Sequence, residues 1–349
     1  MRGKPAHSNA FCRNPLTFVI RFFPFAYMSF ESVKSLVEDD LQQVDRVIRE
    51  RLASDVALVN QVAEYIVGSG GKRLRPLVVV VAAKACGCPD QSHTEAAAII
   101  EFIHTATLLH DDVVDGSTLR RGRDTANEIW GNEASVLVGD YVYSRAFEMM
   151  VSLGSMRIMD VMASATNKIA EGEVLQLMNA NDPETTEQRY FEVIYRKTAK
   201  LFESGTQIAA ILSGSSPAVE GAMTRYGRHL GTAFQLVDDV LDYRSDREQF
   251  GKNLGTDLAE GKPTLPLIYA LRTGSAEQRE VIRSSIEEGS AERLEEITAA
   301  IESTGGLAYT ARLARREAAL AIEALAELPD SAYKHALREL ADFAVDRTY

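Results

Sequence analysis

Two short runs hold most of the chemistry in this chain. The first is Leu108-Leu109-His110-Asp111-Asp112-Val113-Val114-Asp115; the second is Gln235-Leu236-Val237-Asp238-Asp239-Val240-Leu241-Asp242. Both read Asp-Asp-x-x-Asp, both close an apolar helical run, and both precede a loop. Residues four apart share a helix face, so Asp111 projects with Asp115, and Asp238 with Asp242. Like charges at that spacing repel. A hard divalent cation would offset the repulsion: Mg²⁺ commonly takes one or two carboxylates and fills its shell with water and phosphate oxygens. Two facing clusters could then hold a diphosphate through metal. The plain alternative is two solvated acidic helix ends. Acids are favoured at helix N-termini and disfavoured at the negative C-terminal end. The same pattern at two C-terminal ends weighs against that alternative.

The basic residues answer the acids. Gly70-Gly71-Lys72-Arg73-Leu74-Arg75-Pro76 is a glycine turn followed by three cations. Arg120-Arg121-Gly122-Arg123 comes just after the first cluster, Lys197-Thr198 lies within Tyr195–Lys200, and Lys252 and Lys262 flank the loop after the second cluster. Arginine forks grip phosphate oxygens in pairs and lysine supplies a point charge. One diphosphate would be held by metal, the other by direct cations. No Ser-His-Asp or Cys-His arrangement supplies a nucleophile.

These residues need long helices to position them. Between Pro89 and Gly116 there is no glycine or proline, and residues 156–181 and 184–213 are rich in helix formers. Turns are expected at Gly68–Gly71, Gly116–Gly122, Gly214–Pro217 and Gly251–Pro263. β-alternation is absent, and one all-α domain over 28–349 is expected. The net charge of −12 argues against nucleic acid or an anionic membrane as partner. Cys12, Cys86 and Cys88 give no disulfide framework and read as small core or loop residues. The apolar run Leu77–Ala83 is too short to span a bilayer, and a cytoplasmic protein is expected. Residues 1–28 carry Arg2, Lys4, Arg13 and Arg21 but no acid. A transit peptide, a membrane-touching segment and an extension ahead of a start at Met28 all fit. The extension is preferred, with 1–27 disordered.

GGKRLRP, LLHDDVVDGSTLRRG, KTA, FQLVDDVLD and GKNLGTDLAEGKPTLPL together resemble the trans-isoprenyl diphosphate synthases, most closely the bacterial polyprenyl members, from about residue 30 onward. The resemblance implies a bundle of long helices around a deep central cavity, a homodimer, and two or three Mg²⁺ per active site. It implies Asp111, Asp115 and Asp238 as catalytic metal ligands, with Asp112, Asp239 and Asp242 in support. Lys72, Arg75, His104 and Arg121 match an isopentenyl diphosphate site. Arg120, Lys197, Thr198, Gln235, Lys252 and Lys262 match positions around an allylic diphosphate, Lys197 counting also as catalytic. His110 is read as packing only.

The implied reaction is ionisation of an allylic diphosphate, attack by the double bond of isopentenyl diphosphate, and proton loss. Repetition gives a long all-trans polyprenyl diphosphate for quinone side chains. Ala106 lies five residues before Asp111, about 7 Å along the helix, where short-chain relatives often carry an aromatic floor. Ala106 with Thr107 leaves that floor open, and Phe147 and Met150 are candidates for a deeper stop. A C40 product is expected, with C45 or C50 close behind. A terpene cyclase would not need Lys72 and Arg75, and a non-catalytic regulatory subunit would tend to lose an aspartate motif.

Overall fold

A computed structural model describes residues 29–68, 71–120, 122–244 and 254–347. The proposed extension 1–27, with Cys12, and the site candidates Arg121 and Lys252 lie outside the described residues.

The architecture is all-α, as the composition predicts. Helices α1 (Phe30–Leu36), α2 (Glu38–Leu52) and α3 (Ala57–Gly68) lead to α4 (Leu74–Ala85) and the long α5 (Ser92–Val114). A two-residue antiparallel pair, β1 (Leu119–Arg120) with β2 (Arg123–Asp124), interrupts the helices. It is too short for an alternating pattern to announce. There follow α6 (Ala126–Trp130), α7 (Asn132–Ser152), α8 (Met156–Asn179), α9 (Glu187–Ile194), α10 (Lys200–Leu212) and α11 (Pro217–Leu241). The chain ends through α12 (Thr256–Ala259), α13 (Leu265–Thr273), α14 (Ala276–Glu288), α15 (Leu294–Thr304), α16 (Gly306–Ala324) and α17 (Ala332–Asp346).

Helix α4 shows why burial outranks propensity. Val78–Val81 are β-branched and favour strands. Yet every side chain from Leu77 to Ala83 is buried, because α4 packs against α5, α10 and α17. A helix apolar all round belongs inside a bundle. Pro76 is tolerated because it sits in the first turn, where its missing N–H has no helical partner. Cys86 and Cys88 pack, partly buried, against this main core. A satellite core under α13–α15 is built from Leu267, Ile282, Ile286, Ile297 and Ile301. No helix among the described residues is long and apolar enough to cross a membrane.

Helix α10 is wedged between α4, α5 and α11. Its approach to α11 depends on glycine. A methyl group at Gly227 would lie 2.2 Å from Thr206 Oγ1 and 2.5 Å from the Phe202 carbonyl oxygen. Gly227→Ala should therefore destabilise the protein by about 1–3 kcal/mol through forced separation of the two helices. Gly221→Ala, whose new methyl meets nothing nearer than Arg225 Nη1 at 3.5 Å, should be neutral or slightly stabilising. Chemical denaturation of both variants checks the contrast.

Candidate active site

Both aspartate runs sit at helix C-termini. Helix α5 ends in a Schellman arrangement: Ser117 N–H donates to the Asp112 carbonyl at 2.9 Å and Gly116 N–H to Val113 at 3.3 Å. Gly116 takes φ +61°, a left-handed value glycine adopts without strain. Asp111 and Asp112 thus occupy the last turn and Asp115 caps it. Asp238 and Asp239 likewise occupy the last turn of α11, with Asp242 as its cap, but that helix runs on into tight turns, Tyr243 N–H donating to Val240 O, with no left-handed residue there among the described residues.

The two ends face one cavity of about 660 Å³. Asp111, Asp115, Asp238, Asp239 and Asp242 line it, together with Arg75, His104, Thr107, Arg120, Lys197, Thr198, Gln235 and Lys262. Asp112 is rotated away. It is fully buried, and Arg120 donates to its Oδ1 from Nε at 2.8 Å and Nη2 at 2.6 Å. Burial raises the Asp112 carboxyl above its ordinary pKa, against the pull of Arg120. The β1–β2 hairpin aims that arginine, its ends held by Thr125 Oγ1 donating to Ser117 O at 2.7 Å.

Lysines hold the first cluster. Lys197 Nζ lies 3.3 Å from Asp111 Oδ2 and 2.6 Å from Glu173 Oε2. Lys262 Nζ lies 2.7 Å from Asp115 Oδ2 and also meets Glu260. Burial opposes both charges, but the surrounding carboxylates outweigh it and hold both ammonium groups above the ordinary lysine value. At the second cluster Arg347 Nη1 lies 3.1 Å from Asp238 Oδ1. Asp239 faces inward: Tyr190 Oη donates to Oδ2 at 2.5 Å and Gln235 Nε2 to Oδ1 at 2.9 Å, while Thr198 Oγ1 donates to Gln235 Oε1 at 2.9 Å. Burial lifts the Asp239 carboxyl despite those bonds.

Lys197 and Thr198 stand in a π turn, Tyr195–Ala199, between α9 and α10. Such widened turns recur at functional sites. Gly172 of α8 permits it: a methyl there would lie 2.8 Å from Lys197 N. The neighbouring Glu173 thereby reaches Lys197.

Arg75 Nη1 lies 3.1 Å from His104 Nε2. A guanidinium only donates, so His104 Nε2 is the acceptor of this pair. Lys72 lies over the Phe343 ring at 5.1 Å, outside the cavity lining. Burial, then Arg347, lowers its proton affinity. His110 packs over Gly139 and does not line the cavity. Ala106 is fully buried in the main core, while Thr107 faces the cavity.

The donor set fits a hard divalent ion, since the cavity carboxylates offer oxygen alone. Among the described residues no three acidic, histidine or cysteine side chains are gathered closely enough to enclose an ion. Asp111, Asp115 and Asp238 are instead each met by a cation of the chain.

The polyprenyl synthetase family matches residues 56–304. The chain belongs to that family. It is 54% identical over 321 residues to octaprenyl diphosphate synthase of Escherichia coli (strain K12), covering 92% of this chain and 99% of that protein. It is 46% identical over 318 residues to the geranyl-diphosphate-specific all-trans-nonaprenyl-diphosphate synthase of Rhodobacter capsulatus, covering 91% and 98%. A crystal structure of polyprenyl synthase from Caulobacter crescentus CB15, complexed with calcium and isoprenyl diphosphate, shares the fold with a TM-score of 0.89 at 44% identity, covering 93% of this chain and 100% of that one. As a polyprenyl synthetase, the chain is a prenyltransferase that elongates prenyl chains.

Sequence reasoning missed Glu173, Glu260, Tyr190 and Arg347. Glu173 had one available signal, its place beside Gly172 in a helix otherwise lacking glycine. Burial pushes its carboxyl from 4.5 up to about 7, against Lys197. The folded protein thus binds that proton more tightly than the unfolded chain does, so the group opposes folding progressively as pH rises through 4.5–7. In metal-free protein, the unfolding free energy of Glu173→Gln relative to wild type should rise between pH 5 and pH 7.5, by no more than about 2 kcal/mol, with its thermal midpoint rising in step. Thermal melts across that range test it.

Proposed function

We propose that the cavity condenses isopentenyl diphosphate successively onto an allylic diphosphate, in a Mg²⁺-dependent 1'-4 trans reaction, to give octaprenyl diphosphate for quinone side chains. The observation that carries the chemistry is that two aspartate clusters from separate helices face Lys197, Lys262 and Arg75 across one cavity. Asp111, Asp115 and Asp238 would hold Mg²⁺, with Asp112, Asp239 and Asp242 in support; when bound, the ion neutralises charge building on the leaving diphosphate.

The protein's own groups divide the work. Lys197 and Lys262, held protonated, take up the leaving diphosphate with Arg120, Thr198 and Gln235. As the allylic C–O bond breaks, its electron pair leaves with the diphosphate. The Asp239–Gln235–Thr198 chain fixes its dipoles before the reaction, so little reorganisation is required. Arg75 and His104 orient isopentenyl diphosphate, whose double bond forms the new C–C bond; Lys72, outside the cavity lining, would have to swing off the Phe343 ring to join them. The departing diphosphate takes the proton lost from the condensed chain. Leu108, Val193, Ile194 and Phe234 supply apolar wall.

Position 106 carries no aromatic residue, which in the resemblance goes with products beyond C20, although Ala106 itself is packed in the main core and not in the cavity lining. C40 is favoured by similarity: the octaprenyl relative is more similar than the nonaprenyl one, at 54% against 46% identity. Purified protein given Mg²⁺, farnesyl diphosphate and excess isopentenyl diphosphate should yield mainly C40 after dephosphorylation, read by mass. Asp111→Ala should lower the turnover by 10²-fold or more, by analogy with the loss of one charge-stabilising group. A product ending at C15 or C20 would refute the open floor, and unchanged turnover in Asp111→Ala would refute the site.

The chain is further read as a cytoplasmic homodimer. Along α8, Ala163, Ala170, Val174 and Leu177 form an exposed stripe, and Leu137 and Val151 of α7 are exposed as well. Leu177 and Leu137 are 65% and 67% exposed, and large exposed apolar side chains of this kind favour a partner surface. A Leu137→Glu/Leu177→Glu variant should run as a monomer by light scattering where wild type runs as a dimer; equal masses would refute this face.

A further inference from the structure

We propose that Arg347 is a resident counter-ion of the second aspartate cluster, displaced from Asp238 when a divalent cation binds and thereby freed to face a diphosphate. The proposal rests on the reading of the cavity as a metal–diphosphate site.

Three cavity carboxylates show one pattern. Asp111 is met by Lys197, Asp115 by Lys262 and Asp238 by Arg347. The lysines flank motifs visible in the sequence. Arg347 comes from the far end of the chain, as the cap of α17. Its side chain is only 7% exposed, unusual for an arginine. It is also built in on every side. Nε donates to the Ala344 carbonyl at 3.2 Å, Nη2 donates to the Phe234 carbonyl, and the guanidinium lies 3.7 Å above the Phe234 ring. Phe234 and Asp238 are four apart on α11, so one planar group spans a full helical turn and grips both. Arg75 approaches the same ring, at 6.0 Å. Lys72 lies over Phe343 of α17.

Charge, rather than space, then favours an exchange. A Mg²⁺ ligated by Asp238 would sit about 2.0–2.1 Å from a carboxylate oxygen. Arg347 Nη1 is 3.1 Å from Oδ1 of the same carboxylate. Two cations on one carboxylate repel, so each weakens the other's hold. By linkage, removing the arginine must strengthen the metal's. The guanidinium has somewhere to go. Its fork matches phosphate oxygens, and stacking on Phe234, a residue of the cavity lining that Arg75 also approaches, keeps it next to the cavity. Metal entry at the second cluster would thus expose a cation for the incoming substrate.

The test is Mn²⁺ binding to substrate-free protein, read from the free-ion electron paramagnetic resonance signal. Arg347→Gln should bind Mn²⁺ about fivefold or more tightly than wild type, and the gain should vanish in Arg347→Gln/Asp238→Asn. Arg347→Lys should return the affinity toward wild type. A merely structural role predicts the opposite sign, since a damaged site binds metal less well. Equal or weaker Mn²⁺ binding by Arg347→Gln, with Arg347→Lys folded and no different, overturns the proposal. No Mn²⁺ binding by wild type, with or without inorganic diphosphate, overturns the metal–diphosphate reading itself.

Discussion

Carboxylates placed at the negative ends of two helices are the constraint to which everything else in this structure responds. The dipoles of α5 and α11 and the charges of their aspartates have the same sign, so each helix is least comfortable where it is most useful. The surroundings answer with cations rather than with burial alone. Lys197 and Lys262 are held protonated by the acids they face, and Arg120 goes into the interior with Asp112. A chain with net charge −12 therefore keeps concentrated positive charge where an anionic substrate would pass.

The legible part of the site is the part written in local spacing. Asp111 and Asp115 face the cavity together because i and i+4 share a helix face. The same arithmetic rotates Asp112 by about 100°, which is why it meets Arg120 instead. The glycine at 116 marks the end of α5, and the structure ends it there through a left-handed residue. The helices over 156–179 and 187–212 follow from composition.

The illegible part consists of single residues whose partners are distant in the chain. Tyr190 meets Asp239 across 49 residues, and Arg347 meets Phe234 across 113. Nothing within a helical turn of either announces the contact. Glu173 is an ordinary helix acid until the fold presents Lys197 to it across 24 residues, whereas Glu260 meets a lysine only two residues on and is legible locally. The valine run in α4 misleads in the other direction, since local propensity favours a strand and only the surrounding helices decide otherwise.

The widened turn at Tyr195–Ala199 does more than mount Lys197. Residues 187–212 form one nearly continuous helical rod, and its two halves serve different masters. Tyr190 and Ile194 belong to a small core with Leu236 and Ile268, whereas Leu201, Phe202 and Ile208 belong to the main one. A strictly α-helical rod advances about 100° per residue, so its two apolar faces would keep one fixed phase. The wide turn resets that phase. The irregularity that aims the lysine is thus also the gear that lets one rod mesh with two hydrophobic cores, and neither role can be altered alone.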